Sequence, residues 1–97
     1  MKIYYVYKFS GNPDPVGTCA KLKKKFGEGY VFDEVHPEAG EMTREEIRDL
    51  FTKEMTEGSF DKVVADTSMG LGRFMKEEIA LAEKLGIPVE MVDITKK

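Results

Sequence analysis

Apolar residues along this chain alternate between short unbroken runs and stripes at helical spacing. Ile3, Tyr4, Tyr5, Val6 and Tyr7 follow one another with no polar interruption, so Lys2 to Tyr7 is predicted as a central parallel strand buried on both faces. Asp14-Pro15 then supplies an N-cap and a proline at the first helical position, and Gly27 closes that helix. Tyr30 to Val35 predicts a second strand, and His36-Pro37 with Ala39-Gly40 marks a loop. Thr43-Arg44-Glu45-Glu46 has the form of a capping box, in which Thr43 bonds the Glu46 amide and the Glu46 side chain returns to that of Thr43. Ile47, Leu50, Phe51 and Met55 form the inward stripe of the helix that follows, which Glu57-Gly58-Ser59 ends. Phe60 to Asp66 predicts a third strand, Arg73 to Leu85 a third helix, and Pro88 to Ile94 a last strand.

Strands that alternate with helices imply parallel pairing through crossover helices. The expected architecture is therefore α/β: a small three-layer sandwich around a four-stranded parallel sheet of order 2-1-3-4, flavodoxin- or Rossmann-like. Residues 1–97 form a single domain in this reading, with no internal repeat, linker or low-complexity segment.

Composition narrows the partners. Hydrophobic residues make up 41% and charged residues 34% of the 97, a globular balance, and the net charge of −3 gives no general attraction to nucleic acid. Duplex nucleic acid is not expected as a partner, and the basic run of Lys21, Lys23, Lys24 and Lys25 reads as a solvated helix face. Cys19 is the single cysteine, which excludes an intramolecular disulfide and a multi-cysteine zinc site and fits a small buried thiol. A reducing, cytoplasmic setting is expected. No apolar run approaches the ~20 residues of a membrane span, and no signal segment is apparent. Asp33, Glu34, His36 and Glu38 gather polar side chains, but one histidine with mobile carboxylates lacks the fixed geometry of a dedicated site. Neither a metal nor a cofactor is expected.

The residue that asks for an explanation is Glu78. Winding Arg73 to Leu85 at about 100° per residue puts Phe74, Met75, Ile79, Leu81, Ala82 and Leu85 on one broad side, with Glu78 among them and Glu77 at its edge. A carboxylate near packed hydrocarbon finds partners or takes up a proton. In open α/β sheets the ligand crevice lies beyond the carboxyl ends of the strands, where strand order reverses. There the order 2-1-3-4 sets the loop Tyr7-Lys8-Phe9-Ser10-Gly11-Asn12 against the loop Asp66-Thr67-Ser68-Met69-Gly70-Leu71-Gly72. Lys8, Ser10, Gly11, Asn12, Ser68, Gly70 and Gly72 are the candidate binding residues, since small residues and free amides before a helix suit phosphate or carboxylate. Ordinary turn chemistry explains the same glycines. Asp66 ends its strand at this mouth, either to meet a sugar hydroxyl or base edge or to cap its own turn. Glu78 either faces the crevice or pairs with Lys8 or another cation. Tyr7, which shares a strand face with Tyr5, is the better placed phenol to orient a carboxylate.

These segments resemble a known family. Asp61-Lys62-Val63-Val64-Ala65-Asp66, Ser68-Met69-Gly70-Leu71-Gly72 and the run from Glu78 to Gly86-Ile87-Pro88-Val89 are similar to nucleoside 2-deoxyribosyltransferases and their small relatives. Those relatives include deoxynucleotide N-hydrolases and the domain of unknown function 4406 group. Lys2 to Gly11 is similar to their first strand and glycine-bearing loop, so the resemblance spans almost the whole chain. It implies a helix-borne glutamate nucleophile at Glu78 that attacks the anomeric carbon, an aspartate at Asp66 that contacts or protonates the base, and sugar or 5′-phosphate binding by Ser10, Gly11, Ser68 and Gly70. Ser68 stands about one helical turn further from Glu78 than in many relatives, and Phe74 takes the nearer place. The expected function is nucleoside or nucleotide N-glycosidic-bond hydrolysis or transfer by a homo-oligomer. The alternatives are a non-catalytic nucleotide or sugar-phosphate binding domain and a structural, partner-binding α/β domain.

Overall fold

A computed structural model describes residues 1–9 and 11–95 of the chain. Three strands, β1 (Ile3–Val6), β2 (Lys62–Asp66) and β3 (Val89–Val92), form one parallel sheet in the order β1-β2-β3. Tyr4 lies opposite Val63 and Val6 opposite Ala65, while Val63 lies opposite Val89 and Ala65 opposite Met91. Four helices accompany them: α1 (Pro15–Phe26), α2 (Phe32–Val35), α3 (Arg44–Glu57) and α4 (Arg73–Lys84). A 3-10 turn runs over Pro37–Glu41.

Strand periodicity divides the core in two, because successive side chains leave opposite faces of the sheet. Tyr4, Val6, Val63 and Ala65 pack on Met55 of α3 and on Met75 and Ala82 of α4. Ile3, Tyr5 and Val64 pack on Cys19 and Leu22 of α1 and on Val31. Helices thus cover both faces, which gives three layers. The unbroken apolar sequence of β1 follows from this, since all four of its residues are buried. Caps form where the residues allow them. The Asp14 carboxylate accepts from Gly17 N at 2.9 Å. Thr43 and Glu46 make the full reciprocal box, at 3.2 Å from Glu46 N to Thr43 Oγ1 and 3.0 Å from Thr43 N to Glu46 Oε1.

Among the described residues the sheet has three strands where four were expected. Only Tyr30 of the predicted Tyr30–Val35 strand pairs, by a single parallel bridge to Tyr4 with Tyr30 N donating to Ile3 O at 2.8 Å and Tyr5 N to Tyr30 O at 2.9 Å. The chain then coils, and Val35 N and His36 N donate back to Val31 O and Phe32 O at 3.2 and 2.8 Å. Strand periodicity explains the failure. A continued strand would point Asp33 into one packed face and Glu34 into the other, and an unpaired buried carboxylate is far costlier than a few ladder bonds are worth. Coiling frees Glu34 to meet Lys23 Nζ at 2.8 Å and Cys19 Sγ at 3.3 Å. The outer strands also shorten, from Lys2–Tyr7 to Ile3–Val6 and from Pro88–Ile94 to Val89–Val92.

Among the described residues no helix is long and apolar enough to cross a membrane. The core makes a direct prediction. Met55 is 1% exposed at the junction of α3 with the sheet, so Met55→Ala should lower unfolding free energy by about 2–5 kcal/mol. Exposed Lys53→Ala should change it by less than about 0.5 kcal/mol. Urea denaturation of both variants measures the contrast, and equal effects would show that α3 does not pack as described.

Candidate functional site

Beyond the carboxyl end of β1 lies a cleft of about 310 Å³. Tyr7, Lys8 and Phe9 bound it on the β1 side, Gly72 to Met75 and Glu78 on the α4 side. Phe32, Asp33, Ala39 and Gly40 close it from α2 and the 3-10 turn, and Ile47 and Phe51 from α3. Its walls are aromatic. Phe32 meets Phe51 edge to face at 6.5 Å, and Phe51 meets Phe74 in the same way at 6.1 Å. Phe9 adds a half-exposed ring at the mouth. Two carboxyls, Asp33 and Glu78, and two cations, Lys8 and Arg73, are the charged groups of the lining. Neither cation has an ion-pair partner among the described residues.

Glu78 reaches this cleft from the second turn of α4 and is held from below. Tyr4 Oη donates to Glu78 Oε2 at 2.5 Å. The phenol itself has little freedom, because Tyr4 is fully buried, its ring stacked on Tyr30 at 5.0 Å and set edge-on to Phe60 at 5.2 Å. Burial pushes the Glu78 carboxyl up to about 8 from an ordinary 4.5; the Tyr4 hydrogen bond pulls the other way, and the negative charges of Asp33 and Glu77 add to the rise. Burial, and then the neighbouring Glu78 charge, drives the Tyr4 hydroxyl far above the usual phenol range, so it stays a donor. Asp33 is also raised by burial. Glu77 binds Arg48 across the α3–α4 seam at 2.8 Å, and its second oxygen is buried without a hydrogen-bond partner. Glu77 thus stands at the edge of the apolar stripe, partly exposed and bridging the two helices.

The other residues singled out in the sequence divide between cleft and scaffold. Tyr7, Lys8 and Gly72 line the cleft beside Glu78. Tyr7 makes no bond to Glu78; burial raises its hydroxyl first, and the adjoining Cys19 thiol adds to the rise. Asp66 is buried at the end of β2, where its carboxylate accepts from Ser68 N at 3.0 Å, Ser68 Oγ at 2.7 Å and Ile94 N at 3.3 Å. That arrangement ties the β2–α4 turn to the end of β3 and sets Asp66 and Ser68 outside the cleft lining. Asn12 is occupied in its own loop, donating to Lys8 O at 2.8 Å and Thr18 Oγ1 at 3.0 Å. Gly11 and Gly70 take positive φ, +79° and +81°, which a side chain would strain; they shape turns and do not line the cleft. Ser10 lies outside the described residues.

Sequence reasoning missed Tyr4, Asp33 and the phenylalanine wall. The signal for Tyr4 was present in the two-residue period, which sets it with Val6 on the sheet face that α4 covers. Asp33 was hidden by the strand assigned to its segment. The four acidic and histidine side chains grouped on that segment disperse: Asp33 to the cleft, Glu34 to Lys23, and His36 between Glu54 and Glu38. Among the described residues no group of three metal-ligating side chains gathers. Comparison with protein-family models, curated proteins and solved structures found no match.

The raised Glu78 acidity constant has a thermodynamic consequence. The folded state holds this proton more tightly than the unfolded chain, so the contribution is full below about pH 4.5, shrinks as pH rises, and is lost above about 8. At about 1.4 kcal/mol per unit, the upper bound is roughly 5 kcal/mol, reduced by whatever water the cleft admits. Glu78→Gln keeps an acceptor for Tyr4 without the titration. Urea denaturation should find the variant similar to the parent protein at pH 5 and more stable than it at pH 9. Parallel stability curves for the two proteins would mean that the carboxyl is well solvated.

Proposed function

We propose that this protein binds a nucleoside or nucleotide in the β1–α4 cleft and cleaves its N-glycosidic bond, with Glu78 as the reacting carboxyl. The observation that carries the reading is the Glu78 carboxyl, seated in an aromatic-walled cleft and fixed there by a phenol held far above the usual phenol range. Flat aromatic walls suit a nucleobase, and the cleft volume lies at the lower end of the range for small-molecule sites. Lys8, Arg73 and the amide end of α4 favour an anionic group at the mouth, as a 5′-phosphate would supply. Tyr4 takes the orienting role that the sequence had given to Tyr7.

The resemblance makes Glu78 a nucleophile, which requires the ionised form. Its enclosure supports the complementary half of the same chemistry, proton donation to the departing base, because burial keeps the carboxyl neutral until about pH 8. The fold belonging to this reading is flavodoxin- or Rossmann-like, with the Tyr30 bridge standing where the second strand of a 2-1-3-4 order would be. A cytoplasmic homo-oligomer completes it. A second reading, a nucleotide-binding domain without chemistry, is favoured by one observation: Asp66, expected on the base side, is consumed by the β2–α4 turn.

Incubation with deoxynucleosides and deoxynucleoside monophosphates, followed by chromatography of free base, separates these readings. The expected result is base release that holds steady to about pH 7 and falls as pH passes about 8. Glu78→Gln should reduce it by about 10²–10⁴-fold while the far-ultraviolet spectrum is unchanged. Release that climbs through pH 8 would return Glu78 to the nucleophile role. Ligand-induced thermal stabilisation without any free base would establish the binding domain in place of the enzyme.

A further inference from the structure

Asp33 is the second carboxyl of the cleft, and no hydrogen bond or ion pair engages it among the described residues. That separates it from the other acids nearby. Glu34 is bound to Lys23, Glu54 to His36, Glu77 to Arg48 and Asp66 to Ser68. Asp33 stands in the first turn of the short helix α2, partly exposed, and lines the cleft together with Phe32, Phe51, Phe74, Lys8 and Arg73. Glu78, by contrast, has the Tyr4 hydroxyl on one oxygen. Two carboxyls that share an apolar cleft cannot both be charged at little cost, and the aspartate, the stronger acid by nature and the less shifted by burial, ionises first. The charged and titratable groups around the pair are Tyr4, Tyr7 and Lys8 from β1 and its trailing loop, Arg73 and Glu77 from α4, and Glu54 from α3. Of these, Glu54 and Glu77 are already held by His36 and Arg48.

We propose that Asp33 is the nucleophile of this cleft, capturing the sugar at its anomeric carbon while Glu78 hands its proton to the departing base. The inference rests on the N-glycosidic reading above. In the first step the bond from anomeric carbon to base nitrogen breaks, its electron pair leaves with the nitrogen, and that nitrogen takes the Glu78 proton. A bond from an Asp33 carboxylate oxygen to the anomeric carbon forms in its place. In the second step the oxygen of a water molecule attacks the same carbon, the ester bond to Asp33 breaks, and the water proton returns to Glu78. Both carboxyls are restored, and the products are the free base and the free sugar or sugar phosphate. A second base in place of water gives transfer instead. Unequal surroundings thus divide the labour of two carboxyls, as in retaining glycoside hydrolysis.

The test uses the full chain and 2-deoxy-2-fluoroarabinosyl nucleosides, whose fluorine slows the second step and lets the covalent ester accumulate. Proteolysis and mass spectrometry should find the sugar on the peptide that holds Asp33. Asp33→Ala should lose about 10³-fold or more of base release, and added azide should restore part of it with formation of a glycosyl azide. Asp33 makes no structural hydrogen bond, so circular dichroism and melting temperature of the variant should match the parent protein. An adduct on Glu78 overturns the Asp33 assignment and leaves the N-glycosidic reading standing. Base release with no adduct on either carboxyl and no azide rescue also overturns it. Absence of base release by the unaltered protein from every nucleoside and monophosphate overturns the N-glycosidic reading, and the role of Asp33 with it.

Discussion

The hydrogen bond from Tyr4 to Glu78 joins β1 to the helix that covers this face of the sheet, and it decides what the surrounding residues must be. A carboxyl at that depth needs a donor, and the donor needs a rigid seat. The seat is aromatic, formed by Tyr30 stacked against Tyr4 and Phe60 set on edge to both rings. Tyr30 is held in turn by its bridge to β1. One residue of pairing suffices for that purpose, so the failed second strand still contributes the residue that the site requires. The bond also fixes the height of α4, since Glu78 meets Tyr4 only if Met75 and Ala82 bury against Val63 and Ala65 as they do.

Coiling of residues 32–35 serves the cleft as directly as it relieves the sheet. A strand there would have kept this backbone in the plane of the sheet beside β1. The helical turn withdraws the backbone, leaves Phe32 as a wall and brings Asp33 to the opening. Of the two carboxylates that forbid the strand, Asp33 becomes a lining group of the cleft and Glu34 the partner of Lys23 and Cys19. Local electrostatics sets the topology at this point, and topology sets the chemistry.

Helices and caps were legible in the sequence because their signals are local. Asp14-Pro15, Thr43 with Glu46, and the stripe through Met75 and Ala82 each need only a few neighbouring residues to declare themselves, and each formed. Tyr30 to Val35 failed because β propensity scores single residues, whereas the faces on which Asp33 and Glu34 would have landed depend on both flanking layers. Glu78 was legible as an anomaly through helical phase alone. Its partner was not, since the choice between Tyr4 and Tyr7 turns on which sheet face α4 covers, a tertiary fact. Asp66 shows the opposite limit: a strand-terminal aspartate followed two residues later by serine fits a binding group and a turn cap equally well, and the turn takes both of its oxygens.

Polar atoms left without partners among the described residues point in one direction. Tyr30 Oη, Glu54 Oε2 and Glu77 Oε2 are all buried and unbonded, and all three lie on the elements that build the α3–α4 side of the molecule. Each such atom costs on the order of 1–3 kcal/mol when nothing solvates it. A sandwich selected for stability alone would place hydrocarbon at these positions, as it does on the α1 face, where Ile3, Leu22, Val31 and Val64 pack densely. The two faces of one sheet have therefore been built to different ends. The α1 face is built on close-packed hydrocarbon, and the α3–α4 face carries buried oxygens and the Tyr4–Glu78 pair beside an aromatic-walled cleft.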